Sequence, residues 1–189
     1  MEVIRNIHPK DNFIQKVRDL ATKRGIVLIF DECSSGFRES YGGIFNNYSV
    51  FPDMAMFGKT IGNGYALTAV VGRKSVMEAA QNTFISSTFW TERIGPSAAL
   101  KTIEIIVEEK VWQHLIHIGD LIGQGWLKLS EKHGLNLHVT DFKPLITMKL
   151  GYGELNSALV TLFTQEMLKR GYLAAPSVYI SYSHTEKQF

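Results

Sequence analysis

The chain has 189 residues, 45% of them hydrophobic and 20% charged, with a formal net charge of +2. That balance suits one good-sized globular domain or two small ones, and the slight, scattered positive charge argues against nucleic acid or an anionic membrane as partner. A single cysteine, Cys33, excludes an internal disulfide framework and a multi-cysteine metal site, and no apolar stretch approaches the roughly 18 residues of a membrane span.

The start, Met1–Lys10, is polar, carries His8 and Pro9, and is unlike a secretory leader; with the lone cysteine it makes the cytoplasm the expected location. A helix is predicted from Phe13 to Thr22, with Phe13, Val17 and Leu20 at helical spacing and Arg24-Gly25 as its stop. Ile26 to Phe30 is an unbroken apolar run, expected as a strand covered on both faces in a parallel sheet, and Asp31 and Glu32 end it. Ser34 to Asp53 is rich in Gly, Ser, Asn and Tyr and predicts a structured loop over that sheet edge. Met54 to Phe57 reads as a strand, Gly58 to Gly64 as a glycine-rich turn, and Leu67 to Val71 as another buried strand. A short helix is expected over Ser75–Gln81 and a polar, aromatic loop over Phe84–Thr91.

Leu100, Ile103, Val107, Val111, Leu115, Ile118 and Ile122 then form one helical stripe, which Gly119, Gly123 and Gly125 should bend or break. After His133-Gly134 come predicted strands at Asn136–Thr140 and Leu145–Leu150, a helix from Leu155 to Lys169, and a last strand near Val178–Tyr182. This gives an α/β portion over residues 1–108 and a small α+β portion over 109–189.

Three features could carry chemistry. Asp31 closes one strand, Lys59 follows another inside the glycine turn, and Ser86-Ser87-Thr88 gathers hydroxyls in a loop. In an α/β sheet, ligands bind outside the carboxyl ends of the strands. A carboxylate, an amine and hydroxyls suit pyridoxal 5'-phosphate, which needs an anion for its ring nitrogen, an amine for its aldehyde and donors for its phosphate. Each feature has a plainer use as loop cap, solvated charge or turn residue, and composition and spacing leave both open. Nucleotide binding through Gly58-Lys59-Thr60 is disfavoured, because a phosphate loop needs glycine where Asp53 stands.

The run Leu28 to Arg38, followed by Tyr41-Gly42-Gly43, resembles the strand-and-loop signature of class III aminotransferases, and glutamate-1-semialdehyde aminomutase in particular. Phe51-Pro52-Asp53-Met54 and Phe57 through Gly64 resemble that family's lysine motif. Gly72-Arg73, Ser86–Phe89, Ala175-Pro176-Ser177 and Ser183–Glu186 extend the similarity from about Phe13 to the end. The resemblance implies a fold-type-I transferase with Lys59 as covalent anchor and proton shuttle, and Asp31 paired with the pyridinium nitrogen. It further implies that Cys33 packs on the ring in place of the usual valine, and that Thr88 binds the phosphate across a dimer interface. Glu32 and Arg38 are expected to anchor the loop, and His184 to bond locally.

Members of that family are more than twice this length, and their phosphate-binding turn and ring-stacking aromatic precede the acid. The chain therefore reads as the C-terminal part of such an enzyme, with an N-terminal half as a further partner. By itself it is expected to bind cofactor weakly or not at all and to associate into a homodimer or higher oligomer. Amino transfer between an amino donor and a carbonyl compound is the expected reaction. Alternatives are the aminomutase reaction, which Phe89-Trp90-Thr91-Glu92-Arg93 disfavours, and a non-catalytic piece that binds no cofactor alone.

Overall fold

The computed structural model describes residues 8–188, so most of the Met1–Lys10 segment lies outside the described residues. The chain divides into two compact units, one running from Pro9 to Trp112 and the other beginning at Gln113.

The first unit opens with α1 (Phe13–Arg24). Gly25 (φ 63°) ends it in a Schellman turn, its N–H bonding Thr22 while that of Ile26 reaches back to Ala21. The inward face is Ile14, Val17, Arg18 and Ala21, not the predicted Phe13–Leu20 stripe, and Phe13 and Leu20 are exposed. Arg18 turns inward because Asp53 waits there: its Nη1 lies 2.7 Å from the carboxylate.

Strands β1 (Ile29–Asp31), β2 (Met54–Phe57) and β3 (Ala69–Gly72) form a sheet in that order. β1 runs parallel to β2, with Asp31 beside Met56, and β3 returns antiparallel, with Val70 beside Met56. Asp53 locks the sheet's start by accepting the Leu28 N–H at 2.8 Å and pairing Arg18 and Arg73. One face packs a core of Ala55, Phe57 and Ile61 with Phe37, Phe45, Leu67 and Ala69. The expected two-sided burial is not found. Ile26, Val27, Ile29, Val70 and Val71 are all exposed, because the pleat sends alternate side chains to opposite faces and an apolar run does not itself supply a second covering layer.

The predicted short helix becomes α2 (Lys74–Met77) running into a 3-10 turn over Glu78–Asn82, and residues 83–93 hold no regular structure. The long stripe is two helices, α3 (Ile94–Glu109) and α4 (Val111–His133). The break falls at Lys110 (φ 49°) rather than at the glycines, which continue inside α4. Leu100 and Val107 are exposed, against the single-stripe expectation.

In the second unit α4 packs on an antiparallel sheet ordered β4 (Leu137–Val139), β5 (Leu145–Leu150), β6 (Ser177–Tyr179). The α4 glycines serve this packing. A Cβ on Gly119 would stand 2.0 Å from the Lys143 carbonyl oxygen, and one on Gly123 3.1 Å from a Val139 methyl. Ile118 and Ile146 are fully buried at this seam. Helix α5 (Asn156–Lys169) follows β5 and buries none of its residues. No helix among the described residues is long and apolar enough to cross a membrane.

Candidate active site at the carboxyl edge of the first sheet

Parallel pairing of β1 with β2 brings their carboxyl ends to one edge. Asp31 is the last residue of β1, and Lys59 stands two residues beyond the end of β2. By strand register Asp31 shares its face with Ile29, Met56 and Val70, so one carboxylate borders an exposed apolar surface.

The loop leaving β1 is pinned before it reaches the site. Glu32 is fully buried. Its carboxylate accepts the Ser35 hydroxyl and the Ile44 and Phe45 N–H groups, the latter two at 3.1 and 3.3 Å. Burial pushes its pKa up, and these three donors pull against that rise. Glu32 is the loop anchor the sequence suggested; Arg38 lies half-buried in the same loop. Gly36 packs so tightly that a Cβ there would stand 2.6 Å from the Phe57 ring.

Asp31 Oδ1 accepts the Cys33 N–H at 3.0 Å. This bond is the largest influence on its carboxyl and, with smaller help from the Cys33 side chain and the charge of Lys59, holds it below the ordinary value against the opposing effect of burial. Asp31 is thus an anion at neutral pH, as a partner for a protonated ring nitrogen must be. The Cys33 thiol is half-buried against Gly58, where an added Cβ would stand 3.4 Å from its Sγ.

Gly58 opens a tight turn. Its carbonyl accepts the Ile61 N–H, and that of Lys59 accepts the Asn63 N–H. Lys59 itself occupies the left-handed region at φ 44°, a conformation costly for a side chain with a Cβ. Its ammonium Nζ donates to the hydroxyl oxygen of Ser34. Beside it the Thr60 hydroxyl is buried with no hydrogen-bond partner among the described residues.

Asp31, Cys33 and Lys59 therefore come together, and Thr88 does not join them. It is exposed in the irregular segment 83–93, where Phe84, Phe89 and Trp90 also face solvent. Sequence reasoning gave no role to Ser34, which accepts from the Lys59 amine, and none to Asp53 beyond its place in the lysine motif and its bar to a phosphate loop. The signal for Ser34 is positional, since parallel strands put the loop after one beside the turn after the other. In the second unit His184 bonds locally, its Nδ1 accepting the Ser181 N–H at 3.0 Å. No cluster of metal-ligating side chains occurs among the described residues.

An anionic carboxylate, a reachable amine, a small thiol and a spare buried hydroxyl fit a carbonyl cofactor with a basic ring nitrogen. Comparison with known proteins points the same way. Residues 6–140 match the aminotransferase class-III family model. The chain is 35% identical over 184 residues to a 3-aminobutyryl-CoA aminotransferase of Cloacimonas acidaminovorans (strain Evry), covering 95% of this chain and 44% of that protein. It is 28% identical over 196 residues to a glutamate-1-semialdehyde 2,1-aminomutase of Desulforamulus reducens, covering 95% and 45%. Among solved structures, the Sphingopyxis sp. MTA144 FumI protein in its PLP internal aldimine form superposes with a TM-score of 0.85 at 25% identity, over 93% of this chain and 42% of that one. An omega-transaminase from Sphaerobacter thermophilus gives 0.86 at 24% identity, over 96% and 45%. The chain spans about half the length of the curated relatives it matches.

Proposed function

The chain belongs to the aminotransferase class-III family, and from that premise we propose that it carries the lysine-bearing part of a pyridoxal-phosphate-dependent amino-transfer site. The observation behind this reading is the parallel β1–β2 pair, which sets Asp31 and Lys59 at one sheet edge. Residues 1–108 would form the cofactor-binding portion and 109–189 the small α+β portion.

Pyridoxal phosphate, when bound, supplies an aldehyde for an amine and a ring that accepts electrons once protonated. Lys59 provides the amine and afterwards holds or releases a proton at Nζ beside the substrate carbon. Desolvation in a closed site would lower its pKa and make it a competent base. Asp31, already held anionic by the Cys33 N–H, keeps the ring nitrogen protonated. Cys33 offers a small apolar surface to the ring. Thr88, exposed here, would donate to the phosphate of a second copy, in a dimer or higher oligomer. Amino transfer is favoured over the aminomutase reaction because Phe89 and Trp90 place bulky rings beside Thr88 in the sequence.

Trapping decides the lysine. The chain, saturated with pyridoxal phosphate, is reduced with borohydride and peptide-mapped. A pyridoxyl group on Lys59, lost in Lys59→Ala, is expected. A label on Lys74 or Lys101 in its place overturns the assignment.

A further inference from the structure

The amine of Lys59 ends on a built seat. Ser34 lies three residues past Asp31 in the loop leaving β1 and is only 3% exposed. The loop around it is fixed by Glu32, whose carboxylate takes Ser35, Ile44 and Phe45. The Ser34 hydroxyl is therefore a fixed point, whereas the lysine stem is long and loses rotamer freedom when it is ordered.

The chemistry of the seat is selective. Among the described residues the amine has near it the Asp31 carboxylate, whose charge interacts with Lys59, and the Ser34 hydroxyl, which accepts its hydrogen bond. The carboxylate is turned to the Cys33 N–H, and the hydroxyl takes the amine. A neutral acceptor binds an ammonium more weakly than a carboxylate does, so the amine is held in reach without being trapped. Ser34 favours the protonated amine, because an ammonium can only donate and its bond to the hydroxyl oxygen is charge-assisted.

We propose that Ser34 is a positioning residue that seats the amine of Lys59 whenever that amine is not covalently engaged. This rests on the reading of Lys59 as the carbonyl-binding amine. The seat fixes where the amine waits and keeps its proton there; among the described residues, Asp31 and Cys33 are titratable groups that the site places near it.

The test needs no cofactor. The full chain is acetylated with limiting acetic anhydride across a range of pH, against a reference amine, and peptide mapping gives a titration midpoint for each lysine. Ser34→Ala is expected to move the Lys59 midpoint down by about half a pH unit, the direction expected on removing an acceptor from a charged donor. Lys74 and Lys101 should keep their profiles, and Ser34→Thr should restore the parent midpoint. Should Ser34→Ala fail to fold by circular dichroism, Ser34→Cys, with its poorer acceptor, must give the same downward shift. An unchanged midpoint overturns the proposal, and so does a shift that threonine does not restore. Borohydride trapping of the same parent chain separates the two ideas: pyridoxyl missing from Lys59 sinks the cofactor reading, while an unmoved midpoint with pyridoxyl on Lys59 sinks the seat alone.

Discussion

Lys59 holds its backbone at φ 44°, where a side chain with a Cβ costs roughly 1–2 kcal/mol. The position is one that stability alone would give to glycine, and strain of this kind gathers at functional sites. Lys59→Gly is therefore expected to raise stability above Lys59→Ala by about 1 kcal/mol in urea unfolding, while both lose the covalent label; equal stabilities would show that the turn carries no strain. The two buried acids make opposite predictions with pH. The Leu28 N–H first, and then Arg18, depress the Asp53 pKa below its ordinary 3.8. The stability Asp53 contributes is thus complete above that value and is lost as pH falls through the depressed one. Burial raises Glu32 above its ordinary 4.5; its contribution is complete below that value and declines as pH rises through the elevated one. Asp53→Asn should cost about 1.5–3 kcal/mol near neutrality and flatten the acid side of the stability curve. Glu32→Gln should remove the decline on the other side. Matching acid limbs in the parent and Asp53→Asn would refute the first assignment.

At the scale of elements, the glycines of α4 separate two reasons for having glycine in a helix. At Gly119 a Cβ would meet the backbone of Lys143 at 2.0 Å for its carbonyl oxygen. Backbone cannot give way as a flexible side chain can, so Gly119→Ala should destabilise by at least about 2 kcal/mol. At Gly125 nothing lies within 4 Å, and Gly125→Ala should stabilise by about 0.5–1 kcal/mol through backbone entropy. Thermal melts of the two variants check this. A neutral Gly119→Ala would mean that α4 and the β4–β5 connection are not in close contact. Their opposite signs also explain why the helix does not break where glycines cluster: two of the three are used for approach, and packing against a buried Ile146 offsets their low propensity.

Across the whole molecule, the first sheet leaves Ile29, Met56 and Val70 exposed on the face that carries Asp31. Both outer strands, β1 and β3, also carry an edge without a strand partner among the described residues. Apolar faces and open edges recruit other chains. The chain is thus expected to self-associate through this face, its sedimentation coefficient rising with concentration. Val70→Lys, which puts a charge on both the face and an outer strand, should shift it toward monomer. A parent that sediments as a monomer at all concentrations would count against the oligomer proposed here.

Much of this was legible in the sequence. Met54–Phe57 and Leu145–Leu150 form strands within the predicted bounds, and Gly25 ends its helix, because local composition and turn chemistry act over a few residues. The strand ends that carry Asp31 and precede Lys59 were legible for the same reason, whereas composition and spacing left the use of the two residues open until the family resemblance was weighed. Burial was not. Ile26–Phe30 and Leu67–Val71 look like core strands, yet exposure depends on what lies across the sheet, which no local pattern encodes. Arg18 was unreadable as an inward residue until Asp53, 35 positions away, was placed beneath it. The helix does not break at Gly119 or Gly123, which are held against Lys143 and the sheet, and the break falls at Lys110 instead. The sequence by itself determined the elements and the reactive residue types. Only the tertiary structure decided which of them meet, since a parallel strand pair joins loops that are distant along the chain, and that is how the Ser34 hydroxyl comes to hold the Lys59 amine.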